Sequence, residues 1–181
     1  MDDNLIIRAA RFAEKAHRGQ VRKYTGLPYF VHPSRLAGMV AALPGSTPVM
    51  VAAAFLHDVV EDCGVDLSVI KEDFSPAVSS LVGELTNTSK IEYPKANRAA
   101  RKKLDRDRIR GVSKEAKIIK LCDRIDNIRD MRGAEDDFLE VFCHESALLL
   151  RALHLTDLEL ESMLAEEIKN TCGKSPSELG V

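Results

Sequence analysis

Apolar residues recur at helical spacing along almost the whole chain, and no stretch shows the strict alternation expected of a half-buried strand. Leu5, Ile6, Ala9, Phe12, Ala13 and Ala16 predict a first helix over about 3–18, closed by Gly19. Pro33 suits the first turn of a second helix, which runs to Leu43 before Pro44, Gly45 and Ser46 break it. Thr47-Pro48 caps a strongly apolar helix, VMVAAAFLHDVVED, which is expected to continue to Gly64. Short helices follow over 66–73 and after Pro76. The polar stretch around 86–96 reads as a mobile loop. A basic helix ends near Gly111, another runs from Ser113 towards Gly133, and two more cover about 136–153 and 156–170 before a tail expected to fray. The expectation is one all-α domain over 1–181, built as a helical bundle.

Composition agrees with that reading. Aromatics are 5% of the chain and tryptophan is absent, while good helix formers dominate. A net charge of -2 and a pI near 6.2 argue against a general nucleic-acid binder. The charge is uneven, since Lys95, Arg98, Arg101, Lys102, Lys103, Arg106, Arg108 and Arg110 face only Asp105 and Asp107 between them. Such a stretch suits a small anionic ligand or a solvated helix face better than a polymer. No apolar run approaches the ~18 residues of a membrane span, and the N-terminal sequence is unlike a secretory signal. Cys63, Cys122, Cys143 and Cys172 show no ligand-like spacing, so a cytoplasmic protein with reduced thiols is expected.

Chemistry concentrates where polar residues interrupt apolar helices. His57-Asp58 lies inside VMVAAAFLHDVVED, and Glu61 and Asp62 follow one turn later. Three carboxylates that close repel one another unless a cation or a proton offsets them. His32 stands before Pro33 at a helix mouth, and Asp123 sits among Ile118, Ile119, Leu121 and Ile125 with Asn127 one turn on. Taken singly, His32 reads as a cap, His57-Asp58 as an ion pair and Asp123 as a helix salt bridge. Together they form a mixed nitrogen and oxygen donor set suited to Mn, Fe, Co or Zn rather than Ca.

The order His, His-Asp, Asp across a helical chain resembles the HD superfamily of metal-dependent phosphohydrolases. Three blocks carry the likeness further: AHRGQVRKYTGLPYFVHPSRLAG, AAAFLHDVVED and IIKLCDRIDNIRDM are similar to the hydrolase domain of RelA/SpoT alarmone enzymes, over about 5–132. The chain is too short to add the synthetase domain of the long members, so it looks like a stand-alone small alarmone hydrolase, with helices at about 136–170 beyond the family-like core. The resemblance implies that His32, His57, Asp58 and Asp123 bind one Mn ion and that Glu61 and Asp62 position or activate water. It implies that Arg22 faces the base, Lys23 the phosphate, and Asn127 the ribose and metal. Lys90, Lys95, Arg101 and Arg129 are looser candidates for phosphate or substrate contacts. His17, His144 and His154 read as structural or surface residues.

The activity implied is hydrolysis of the 3′-pyrophosphate of a (p)ppNpp alarmone, ppGpp or ppApp, a small purine nucleotide. Tyr24-Thr25-Gly26 and Asp126 depart from many relatives near the expected base or ribose, which leaves guanine against adenine open. Two other readings stay open. One is a phosphatase acting on the NADPH 2′-phosphate or a nucleoside monophosphate; the other is an inert alarmone-binding regulator, against which the intact Glu61-Asp62 pair argues. Oligomeric state is undetermined by these features.

Overall fold

The first helix, α1 (Leu5–Ala16), starts where the Asn4 side chain accepts a hydrogen bond from the Ile6 N–H at 3.0 Å. It belongs to a computed structural model that describes residues 4–180. The chain divides into two compact units, Met1–Asn87 and Thr88–Val181.

In the first unit α3 (Pro48–Leu56) is the central element. Its Met50, Val51, Ala52, Ala53, Ala54 and Leu56 are all buried, because α1, α2 (Val31–Ala42) and α6 (Pro76–Leu85) pack around it. Thr47 caps it by accepting from the Met50 N–H, with Pro48 in the first turn as predicted. The helix expected to continue to Gly64 stops at Leu56. His57 and Asp58 form a turn, and a new helix, α4 (Val59–Cys63), begins after them. The His57 ring takes the Ala54 carbonyl at 2.9 Å, the acceptor that the next helical turn would have used.

Gly64 ends α4 in the left-handed conformation at φ +67°, after which α5 (Leu67–Asp73) packs on α6. A Cβ on Gly64 would meet nothing within 4 Å, so the position tests backbone strain alone. Gly64→Ala is expected to destabilise the protein by about 1 kcal/mol. Chemical denaturation of the two proteins side by side checks this, and equal midpoints would contradict it.

The second unit is built on α9 (Lys114–Arg129), whose Ile119, Leu121, Cys122, Ile125 and Ile128 are buried. It packs against α10 (Asp136–Ala152) and α11 (Leu158–Cys172), while α8 (Arg98–Ile109) lies on α10. Burial pushes the Cys122 thiol up to about 12, leaving it an inert apolar filler. The segment 86–96, expected to be a loop, holds a one-turn helix, α7 (Ser89–Glu92).

Two expectations are corrected here. Cys143 and Cys172 are disulfide-bonded, with 6.4 Å between their Cα atoms, where reduced thiols were expected. The packing of α10 on α11 brings together residues 29 apart in sequence, a pairing that no short motif announces. The tail after Gly173, expected to fray, folds into a turn closed by Glu178 Oε2 accepting from the Ser175 N–H and Oγ–H. Among the described residues there is no strand, only an isolated bridge between Val21 and Pro28, and no helix is long and apolar enough to cross a membrane. The all-helical fold holds.

Candidate metal centre

The break in the helix at His57-Asp58 sets up the site of the first unit. His57 Nδ1 lies 2.9 Å from the Ala54 carbonyl, which can only accept, so Nδ1 carries a proton and donates. In the neutral ring Nε2 is then the nitrogen that bears the lone pair, the arrangement that orients metal-binding imidazoles. His57 Nε2 is 3.2 Å from His32 Nε2 and 2.8 Å from Asp58 Oδ2, and His32 Nε2 is 3.8 Å from that same oxygen.

Three donor atoms therefore converge, and both imidazoles are buried at 0% and 3% exposure. The spacing of 3.2 Å between the nitrogens is one that two ligands share when each bonds a single cation at about 2.0–2.1 Å. Where both Nε2 atoms carry their lone pairs, they and the carboxylate repel one another, and a divalent cation or an added proton relieves that. Two nitrogens and a carboxylate oxygen suit a divalent transition metal.

Around this trio the sequence-predicted carboxylates are held from neighbouring elements. Glu61 Oε2 accepts from the Asn87 N–H at 3.3 Å and from its Nδ2 at 3.0 Å. The Tyr29 hydroxyl lies 2.6 Å from Asp58 Oδ2 and 3.2 Å from Asp62 Oδ2 and donates to one of them at a time. Arg22 places its guanidinium over the Tyr29 ring, 5.5 Å from the centroid, and Lys23 lies over Tyr24 at 4.9 Å. The loop that carries them is closed by Arg22 N–H donating to the Leu27 carbonyl and Gly26 N–H to that of Arg22, with Gly26 at φ +69°.

Tyr29 and Asn87 escaped the sequence reading. The signal for Tyr29 was its place one turn before His32, at the start of α2; for Asn87 it was a polar residue just past the end of α6. Tyr29 also stacks on His17, whose buried ring bonds Gln20 Oε1 at 2.8 Å, so His17 is structural as expected.

In the second unit, Asp123 is buried on α9 and bonded on both oxygens from its own helix. Asn127 Nδ2 donates to Oδ1 at 2.5 Å and Lys120 Nζ to Oδ2 at 2.7 Å, one turn to either side. Lys120 was not foreseen, although its spacing of three from Asp123 was visible. Asp126 is buried as well. Arg129 donates to Glu167 on α11 at 2.6 Å, and Arg101 to the Ala96 carbonyl. Lys90 on α7 and Lys95 beyond it are exposed.

The family model for the HD domain matches residues 9–147, which include every metal-ligand and carboxylate candidate above. The chain belongs to the HD domain family. Human guanosine-3′,5′-bis(diphosphate) 3′-pyrophosphohydrolase MESH1 is 32% identical over 171 residues, covering 91% of this chain and 93% of its own. A GTP pyrophosphokinase of Streptomyces coelicolor is 37% identical over 129 residues, 70% of this chain, but this HD protein spans only 15% of that relative's length. Among solved structures, one described as a metazoan ortholog of SpoT that hydrolyses ppGpp superposes with a TM-score of 0.82 at 27% identity. It covers 96% of this chain and 98% of its own.

Tyr29 offers a direct test of how this HD site holds its donors. Tyr29→Phe keeps the ring contacts with His17 and His32 but removes the hydrogen bond to Asp58. Loss of such an outer support is expected to weaken metal affinity by about tenfold. Metal titration by calorimetry reads it, and an unchanged affinity would show that Asp58 needs no such support.

Proposed function

We propose that this chain is a manganese-dependent hydrolase that removes the 3′-pyrophosphate of ppGpp or ppApp. The observation that carries the reading is the convergence of His32 Nε2, His57 Nε2 and Asp58 Oδ2 within 2.8–3.8 Å of one another, with both imidazoles buried. MESH1 and the metazoan SpoT ortholog, both known as hydrolases of guanosine-3′,5′-bis(diphosphate) and both matching nearly the whole chain, support the substrate class.

In this reading His32, His57 and Asp58 hold one cation, with Asp123 as a fourth ligand assigned from the family resemblance. When bound, such a cation supplies Lewis-acid chemistry: it acidifies water and draws charge from a phosphoryl group. Glu61 or Asp62 takes the proton of the attacking water. Asn87, which donates twice to Glu61, keeps one of its oxygens occupied and so fixes the orientation of the other. Water adds across the 3′ P–O bond, leaving a 3′-hydroxyl and pyrophosphate. Arg22 offers a planar cation to the purine, and Lys23 a mobile point charge to phosphate. Asn127 lies near the ribose and the metal; Lys90, Lys95 and Arg101 are assigned to substrate phosphates, and Arg129 to the substrate. The buried Asp126 accepts from an amino group of the base. One HD domain spanning both units and a cytoplasmic location complete the proposal; the Cys143–Cys172 bond removes reduced thiols from the support for that location.

Turnover of ppGpp, ppApp and NADPH in parallel, with manganese and after chelation, tests this. Pyrophosphate released from an alarmone, lost on chelation and restored by metal, is the expected result. Orthophosphate from NADPH alone would keep the metal site and overturn the substrate. Tight alarmone binding without turnover in saturating manganese would make the protein a binder.

A further inference from the structure

The second unit carries a cavity of about 500 Å³ between α8, α10 and the C-terminal turn, lined entirely by residues of that unit. Its charges are unevenly satisfied. Of its three carboxylates, Glu145 is taken up by two hydrogen bonds from Arg98, each 2.8 Å. Glu140 faces Lys174 Nζ at 3.4 Å, and Glu178 is exposed and accepts from Ser175. On the opposite wall, Lys102 and Arg106 stand one turn apart on α8, with no hydrogen bond or ion pair among the described residues.

Burial pulls the Lys102 amine below its ordinary value; the nearby cations Arg124 and Lys120 act in the same direction, and Asp105 and Glu145 oppose them. The lining is completed by His144 and by an apolar part, Ala99 from α8, Val141 and Leu148 from α10 and Leu179 from the turn. The turn is held in place by the Cys143–Cys172 bond and by His144 Nδ1–H donating to the Leu179 carbonyl at 3.2 Å, which makes it a fixed wall.

We propose that this cavity binds a small organic phosphate, its dianionic head between Lys102 and Arg106 and its apolar body against Val141, Leu148 and Leu179. Two cations with several donors each match a doubly charged oxyanion, and apolar side chains beside a few charged ones are the usual character of a small-molecule site. The site lies in the second unit and uses none of the residues assigned to hydrolysis, so it is additional to that reading and survives its failure.

Phenylphosphonate, which has the head and body proposed and no ester bond to cleave, is the probe. Titrated into the full-length protein, it is expected to move the ring resonances of His144 in the cavity while leaving those of His154 unchanged. Lys102→Met/Arg106→Met is expected to raise Kd at least about tenfold, as loss of charge-assisted hydrogen bonds does, whereas Arg22→Ala/Lys23→Ala leaves it unchanged. If the α8 variant does not fold, the His144 response of the wild-type protein decides alone. Static His144 resonances at high probe concentration overturn the proposal. So does a Kd that depends on Arg22 and Lys23 but not on Lys102 and Arg106.

Discussion

His57→Ala is expected to lower kcat/KM for pyrophosphate release from ppGpp at least about a thousandfold, close to 4 kcal/mol of transition-state stabilisation. The side chain does two jobs at once. Its Nε2 is one of three donor atoms that converge, 3.2 Å from His32 Nε2 and 2.8 Å from Asp58 Oδ2. Its Nδ1–H holds the Ala54 carbonyl at the point where α3 stops, which aims the ring. Alanine removes the nitrogen and opens a space beside a buried imidazole and a carboxylate. Bound metal should fall together with turnover, whereas a purely structural role for His57 would lower stability and leave the metal content of the folded protein intact. Elemental analysis, steady-state kinetics and far-UV circular dichroism on one preparation separate the two. A variant that keeps most of the wild-type kcat/KM would sink the proposed centre.

Reducing the Cys143–Cys172 bond is expected to destabilise the protein by about 3 kcal/mol. The bond closes a loop over a separation of 29 residues, and a crosslink of that span removes chain entropy from the unfolded state worth roughly this amount. For a chain of this size that corresponds to a fall in Tm of roughly 6–12 °C. The same loss is expected for Cys172→Ser in the absence of reductant, and reductant should then have no further effect on the variant. Thermal melts of wild type and variant, each with and without a dithiol, complete the square. A reductant effect that persists in Cys172→Ser would assign the loss to something other than this bond.

Much of the helical layout was legible because each helix announces its own ends. Thr47 and Pro48, Ser75 and Pro76, and Asp66 all cap the helices that their types predict, since capping needs only a side-chain oxygen two or three residues from an unpaired N–H. The break at His57-Asp58 was not legible. It contains neither proline nor glycine, and its cause is a side-chain hydrogen bond to Ala54 that competes with the helical ladder. Tyr29 was missed for a related reason: its value lies in an oxygen that reaches Asp58, 29 positions away, and separation in sequence says nothing about such a reach.

By itself, the sequence determined the all-helical class, the capping points, the donor types at His32, His57, Asp58 and Asp123, and the family that those motifs share. These are matters of local spacing and residue chemistry. Only the tertiary structure decided which atoms face one another: the paired Nε2 atoms, the hydroxyl of Tyr29 on Asp58, the amide of Asn87 on Glu61, and the sulfurs of α10 and α11. Those contacts depend on the angles at which buried helices pack. Small side chains such as Ala52, Ala53 and Ala54 permit close packing around α3 but do not encode those angles in any short stretch of chain.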